Sequence, residues 1–143
     1  MIKLKNIYIL LSIIILIHII AVFRSWYFSI PWLDIPMHFM GGFWTALLII
    51  WIKNIAPGIF GKSNFIGDFI IVLGFTAFIG VLWEFFEFSV DLFIIIKNGL
   101  PDLWISQQGL TDTMGDLLFD LLGGLLAFFI GQKEKYLKHF SKI

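Results

Sequence analysis

Residues 65–96 read FIGDFIIVLGFTAFIGVLWEFFEFSVDLFIII. As one helix rising ~1.5 Å per residue, this run would reach ~48 Å, well past a hydrocarbon core of ~30 Å. A run so long and so apolar is read as a membrane span that must tilt, break or protrude. Outward from it, further apolar stretches lie at 7–23, 34–52 and 113–131, before a polar tail. Four helices therefore account for nearly all of the 143 residues and leave nothing over for a separate soluble domain. The expected fold is all-α: a polytopic membrane protein, residues 1–143 forming a single bundle of four transmembrane helices. Composition agrees, with 59% hydrophobic residues, 14% charged residues and a mean hydropathy of +0.95, far from an ordinary soluble domain.

Several classes of function are excluded at once. Ten Lys and Arg against ten Asp and Glu give no basic excess for a nucleic-acid partner. The absence of cysteine removes disulfides, thiolate nucleophiles and Cys-ligated metals. The 7–23 run follows Lys3 and Lys5 as a signal peptide would. It is long, however, and no small-residue cleavage site follows, so it is read as a retained helix. The chain shows no internal repeat, heptad pattern or low-complexity tract.

Bases set the orientation. Lys3 and Lys5 precede the first span, Lys53 and Lys62 lie in the second connection, and Lys133, Lys135, Lys138 and Lys142 lie in the tail. The first and third connections hold Arg24 and Lys97. The positive-inside rule then places both termini in the cytoplasm of a multi-pass inner-membrane protein, whose immediate partner is the lipid bilayer. Trp26, Tyr27, Trp32 and Trp104 are expected to form the aromatic layer at the outer interface.

On this topology the acids gather on one side. Asp34 and His38 open the second span, Glu84, Glu87 and Asp91 lie late in the third, and Asp112, Asp116 and Asp120 open the fourth, all toward the outer face. His18 falls at a similar depth. Asp68 and Glu134 are left near the cytoplasmic face and Asp102 in the outer connection. Ionisable groups within spans are costly and face a bundle interior or an aqueous cavity. Spacings of three and four residues put each set on one face of its helix, so that Asp112, Asp116 and Asp120 form a stripe.

Two ionised carboxylates ~6 Å apart repel by ~3 kcal/mol at an effective dielectric constant of ~20. No Lys or Arg sits at the middle of a span, which leaves shared protons, a bound cation or entering water as solutions. Carboxylates with an imidazole suit a divalent metal cation such as Mg²⁺, Mn²⁺, Ca²⁺, Fe²⁺ or Zn²⁺. The candidate metal ligands are Asp34, His38, Glu84, Glu87, Asp112, Asp116 and Asp120. Of these, His38, Glu84 and Asp116 are the candidate catalytic residues. The spacings are not the E-x-x-H of a carboxylate-bridged diiron bundle.

Plainer readings stand beside these. Asp34 ahead of Pro36 reads equally as a helix N-cap, as does Asp112. Asp91 is expected to reach the interface, and His18 to be satisfied by a neighbouring helix. Asp68 is expected at the inner surface beside Lys62, with no role. Gly41, Gly42, Thr45 and Ala46, with Gly123, Gly124 and Ala127, would let two helix backbones approach closely where the acids converge. Phe85, Phe86, Phe88 and Phe93 read as lipid- or core-facing bulk, and Pro101, Gly109 and Gly115 as local freedom near the site entrance.

The motifs DIPMHF (34–39), WEFFEF (83–88) and QGLTDTMGD (108–116), followed by Gly123 and Gly124, resemble the YjdF-type family of small bacterial inner-membrane proteins over most of residues 30–131. The chain is similar, more loosely, to the VanZ-like family. The resemblance implies that the shared polar positions are Asp34, His38, Glu84, Glu87, Asp112 and Asp116. VanZ-like members typically carry Gln in place of Glu87 and Asn in place of Asp120, and a basic residue in the last connection that this chain lacks near Asp112. They are associated with glycopeptide (teicoplanin) resistance.

Three classes of function follow. One is an intramembrane enzyme acting on a lipid or polyprenyl-phosphate headgroup, with Asp116 and Glu84 as ligands or general acid and base and His38 as proton carrier. Another is an ion or proton conduit, which would need polar groups through the inner halves of the spans, where residues 46–50 and 125–130 are apolar. The third is a non-catalytic envelope scaffold or stress accessory, in which the buried acids specify helix pairing.

Overall fold

In the computed structural model, the described residues are 3–61, 63–100, 105–107 and 109–140, with side chains described as far as Lys133. Lys62, Pro101, Asp102, Trp104, Gln108 and Lys142 lie outside the described residues, as do the side chains of Glu134, Lys135 and Lys138. The described residues form helices and no strand. Four of these helices are long and apolar enough to cross a membrane.

Helix α1 (Leu4–Phe23) starts a turn earlier than its apolar run. It ends where Arg24 leaves helical geometry and Ser25 turns left-handed at φ 52°. The chain then folds through the short α2 (Trp26–Ser29) and a 3-10 turn, Pro31–Leu33, directly into α3 (Asp34–Ile55). Pro31 and Pro36 occupy first turns, where a missing N–H costs no intrahelical bond. Asp34 is already helical, and no side chain caps α3. The N-cap reading of Asp34 is therefore corrected: its carboxylate is directed at His38 instead.

Past α4 (Pro57–Phe60) and Gly61 at φ 63°, Asn64 caps α5 (Phe65–Val90) by accepting from the Gly67 amide over 2.8 Å. The long third span neither stops nor stays α-helical: its last turns, Asp91–Ile96, are π-helical. Asn98 closes this end by donating to the Ile94 carbonyl over 2.8 Å. Helix α6 (Leu110–Phe140) starts before and continues beyond the apolar run at 113–131, into the polar tail. It begins before Asp112, which stands in its first turn rather than at its cap.

Helices α3 and α6 form the closest pairing, and small residues are the reason. A Cβ on Gly42 would strike the Asp120 carbonyl, and one on Gly123 would strike the Phe39 carbonyl, so backbone lies on backbone. Helix α5 packs on both, with Thr76 seated against Gly124. Toward the end of the bundle that carries the termini, Ala46, Ile49, Val72, Ala127 and Phe128 form a dry core. Phe65 and Phe69 stand edge-on to Phe128 at 5.2 and 5.5 Å, contacts worth ~0.5–1.5 kcal/mol each beyond their burial. Phe85, Phe86, Phe88 and Phe93 point outward as bulk for lipid.

The same end holds a polar clamp. Asp68 is buried and paired with Lys53 at 2.5 Å, Ser63 bonds to both, and Gln132 lies 3.4 Å from the second Asp68 oxygen. The expectation that Asp68 has no role is thus corrected, since it ties α3, α5 and α6 together.

Helix α1 is the loosest member and packs chiefly on α3. Its buried residues are Ile7 and Ala21, near its two ends. Trp44 pins the first by donating to the Ile7 carbonyl over 3.0 Å.

Candidate functional site

At the far end from the termini, α3, α5 and α6 bring their acids together around His38. The ring is buried, with Nε2 3.6 Å from an Asp34 oxygen and 3.8 Å from an Asp116 oxygen. Its other nitrogen, Nδ1, lies 3.5 Å from Asp120. Potential ligand atoms of Asp34, His38 and Asp116 all lie within 4.8 Å of one another, as do those of His38, Glu84 and Glu87. Two donor sets therefore meet at one imidazole. Ligands ~2.1 Å from a small divalent ion stand ~3 to ~4.2 Å apart, and the 3.6 and 3.8 Å separations at His38 Nε2 fall within that range.

Helical geometry explains the convergence. Asp34 and His38 are one turn apart on α3, Asp116 and Asp120 one turn apart on α6, and Glu84 and Glu87 share a face of α5. The backbone contact at Gly42 and Gly123 brings the α3 and α6 lines within reach of each other. Gly80 does the same on α5: a Cβ there would stand 2.6 Å from Asp120 Oδ2. Asp120 consequently sits between helices, behind the His38 ring and outside both donor sets. Asp112, half-buried one turn from Asp116, also lies outside both sets.

Glu84 is the most constrained of the acids. It is 5% exposed, its Oε2 accepts from Gln107 Nε2 at 3.0 Å, and its buried Oε1 has no hydrogen-bond partner among the described residues. An orphan carboxylate oxygen at this depth is costly unless something positive meets it.

The family now follows from the sequence match. Residues 3–135 match the family described as predicted membrane protein, DUF2238. The chain belongs to this family. It is also 36% identical over 105 residues to an uncharacterized protein of Thermotoga maritima, a match covering 71% of this chain and 48% of that protein. The chain thus spans about half the length of this relative. No solved structure matches it.

In this DUF2238 chain, two parts of the site escape a reading of acids alone. The first is Gln107, whose side-chain amide also lies 3.3 Å from the Glu84 carbonyl and 3.4 Å from Thr113 Oγ1. It is held in place by Asp91, which accepts from the Ser106 amide at 3.0 and 3.1 Å and from the Gln107 amide at 2.8 Å. Asp91 is buried against this connection. It stands at the first residue of the π-helical segment, a irregularity that recurs at functional sites. The only sequence signal was a pair of glutamines ahead of a glycine in the third connection.

The second is the corner formed by His18, Tyr27 and Trp83. His18 Nδ1 lies 2.9 Å from the Tyr27 hydroxyl, and its ring meets Trp83 edge-on at 5.5 Å. Burial first, then the carboxylates of Asp34 and Glu87, push the Tyr27 phenol up from its ordinary value of 10.0. Tyr27 thus turns inward rather than joining Trp26 and Trp32 in an exposed aromatic layer. The expectation that His18 is satisfied by a neighbour holds, with its partner on α2 rather than on another span.

Proposed function

We propose that this multi-pass inner-membrane protein, with both termini cytoplasmic, holds a divalent cation near the outer face. There it acts on a lipid or polyprenyl-phosphate headgroup. The observation that carries the reading is the pair of donor sets sharing His38, one of which includes Glu84, a buried acid whose Oε1 has no hydrogen-bond partner among the described residues. Carboxylates with one imidazole suit a hard or borderline divalent ion. Asp34, His38 and Asp116 would hold it from one side, Glu84 and Glu87 from the other. Asp120, 3.5 Å from the second ring nitrogen, would serve as the outer carboxylate that orients the histidine.

A bound ion would supply Lewis-acid chemistry toward a phosphate oxygen. The chain's own part is to orient His38, to keep Glu84 Oε1 available for ligation or proton transfer, and to close the site below. The dry core of Ala46, Ile49, Val72, Ala127 and Phe128 supports a one-sided site over an ion or proton conduit. Within DUF2238, DIPMHF, WEFFEF and QGLTDTMGD are the motifs on which we place the chain with the YjdF-type group and, more loosely, the VanZ-like proteins.

The test is the metal content of the purified protein, in wild type and in a Glu84→Gln/Asp116→Asn double variant. About one divalent ion per chain in the wild type and none in the variant is expected. Near-zero occupancy in both would overturn the metal and leave shared protons. Orientation is read separately with single cysteines introduced into this cysteine-free chain at Lys5 and Arg24. Labelling from outside is expected only at residue 24.

A further inference from the structure

We propose that the space beneath α1 is a binding site for the alkyl chain of a bilayer phospholipid, its phosphate end turned toward the cation centre. The proposal rests on the reading of that centre given above. Helix α1 is tied down near Ile7 by Trp44 and near His18 by Tyr27, and between these ties it stands off the bundle. The gap is a cavity of about 180 Å³, floored by Leu11, Ile14, Met37, Trp44 and Ile79. Its other end is polar, where His18, Tyr27, Asp34, His38, Glu87 and Asp120 contribute to the wall.

An apolar floor does not hold ordered water, since a buried water needs two to four polar partners. At ~30 Å³ per water-sized group the space takes about six such groups, a short length of one alkyl chain. Its mouth follows from the side chains shared between wall and outer surface. Ile15 and Trp83 line the cavity and are 47% and 38% exposed. Both belong to spans, so the opening faces hydrocarbon rather than water. From Leu11 to His18 the axis rises ~10 Å at ~1.5 Å per residue, so the apolar floor and the polar wall are stacked along the membrane normal, as chain and headgroup are in a lipid. The remainder of the chain would leave between Ile15 and Trp83 into the bilayer.

The experiment uses full-length protein in detergent, with lysophosphatidylglycerol, glycerol phosphate or inorganic phosphate added, and native mass spectrometry as the readout. Wild type is expected to retain one lysophosphatidylglycerol saturably and neither phosphate without a chain. Ile14→Trp fills the floor and is expected to lower retention about tenfold or more with metal content unchanged. Ile13→Trp, on the exposed side of α1, is expected to leave retention as in wild type. Leu11→Phe, a smaller filling of the same space, replaces Ile14→Trp if that variant does not fold. Absence of saturable retention by wild type, or equal retention by the filled variants, overturns the alkyl site. Equal retention of inorganic phosphate points to a headgroup site without a chain and overturns it too. If the metal is absent while retention still responds to Ile14→Trp, the cation reading fails and the chain site stands.

Discussion

Gln107 donates to one oxygen of Glu84 over 3.0 Å while the other oxygen of that carboxylate is buried with no hydrogen-bond partner among the described residues. The pairing holds the Glu84 carboxylate from a connection rather than from a span. Gln107→Ala is expected to cost ~1–3 kcal/mol in stability, as leaving a buried hydrogen-bonding group unsatisfied does, and to weaken metal binding ~10–100-fold. Thermal unfolding and metal titration measure the two effects. Unchanged metal affinity would remove Gln107 from the site's support.

Asp120 contacts His38 Nδ1 from a slot that exists because residue 80 is glycine. Gly80→Ala moves the carboxylate, whose flexible end is what a Cβ would meet, and leaves both donor sets in place. It is expected to lower metal affinity to about the same degree as Asp120→Ala, on the order of 10-fold or more. The double variant should be no worse than either single one. Full additivity would show that the two act independently.

The glycines of α3 and α6 separate by position. Gly42→Ala and Gly123→Ala force backbone apart and are expected to destabilise by at least ~1–3 kcal/mol. Gly115→Ala, with nothing near the added carbon, is expected to stabilise by up to ~1 kcal/mol through helix propensity. Melting temperatures in one detergent check the contrast in sign.

At the other end, removing one member of the Lys53–Asp68 pair is expected to cost ~3–5 kcal/mol, because a buried charge is left behind. Lys53→Met with Asp68→Leu should recover most of that loss. A double-mutant cycle on thermal stability tests it, and an additive double loss would exclude direct coupling.

Tyr27 carries a pH dependence whose sign follows from its burial. Its native phenol holds its proton above the ordinary value of 10.0, so stability is fully present below pH ~10 and declines as pH rises further, where the unfolded chain releases that proton first. Tyr27→Phe is expected to flatten the alkaline slope. Unfolding followed from pH 8 to 12 in both proteins reads this directly, and identical slopes would contradict it.

Much of this could be read from residue order. Hydropathy placed four spans, and the three- and four-residue spacings of Asp34/His38, Glu84/Glu87 and Asp116/Asp120 placed each polar line on one helix face. The small residues Gly42 and Gly123 foretold close packing of α3 on α6. Periodicity describes one helix at a time, however, and it does not say which carboxylate stands behind another. It therefore set Asp120 among the other acids without seeing the slot at Gly80. Gln107 and Asp91 were hidden for another reason. Their pairing depends on how an irregular connection folds back over a π-helical turn, and no repeat in the sequence encodes that. Tyr27 resembled an interface anchor because its role is set by a partner nine residues upstream across a left-handed turn at Ser25.

The direct seating of α3 against α6 at Gly42 and Gly123 makes these two helices a rigid frame, while α1 is moored mainly at its extremities. A thicker or thinner bilayer, met by leaning the first helix, would therefore leave Asp34, His38 and Asp116 where they are. The geometry around His38 would then be insulated from changes in membrane thickness.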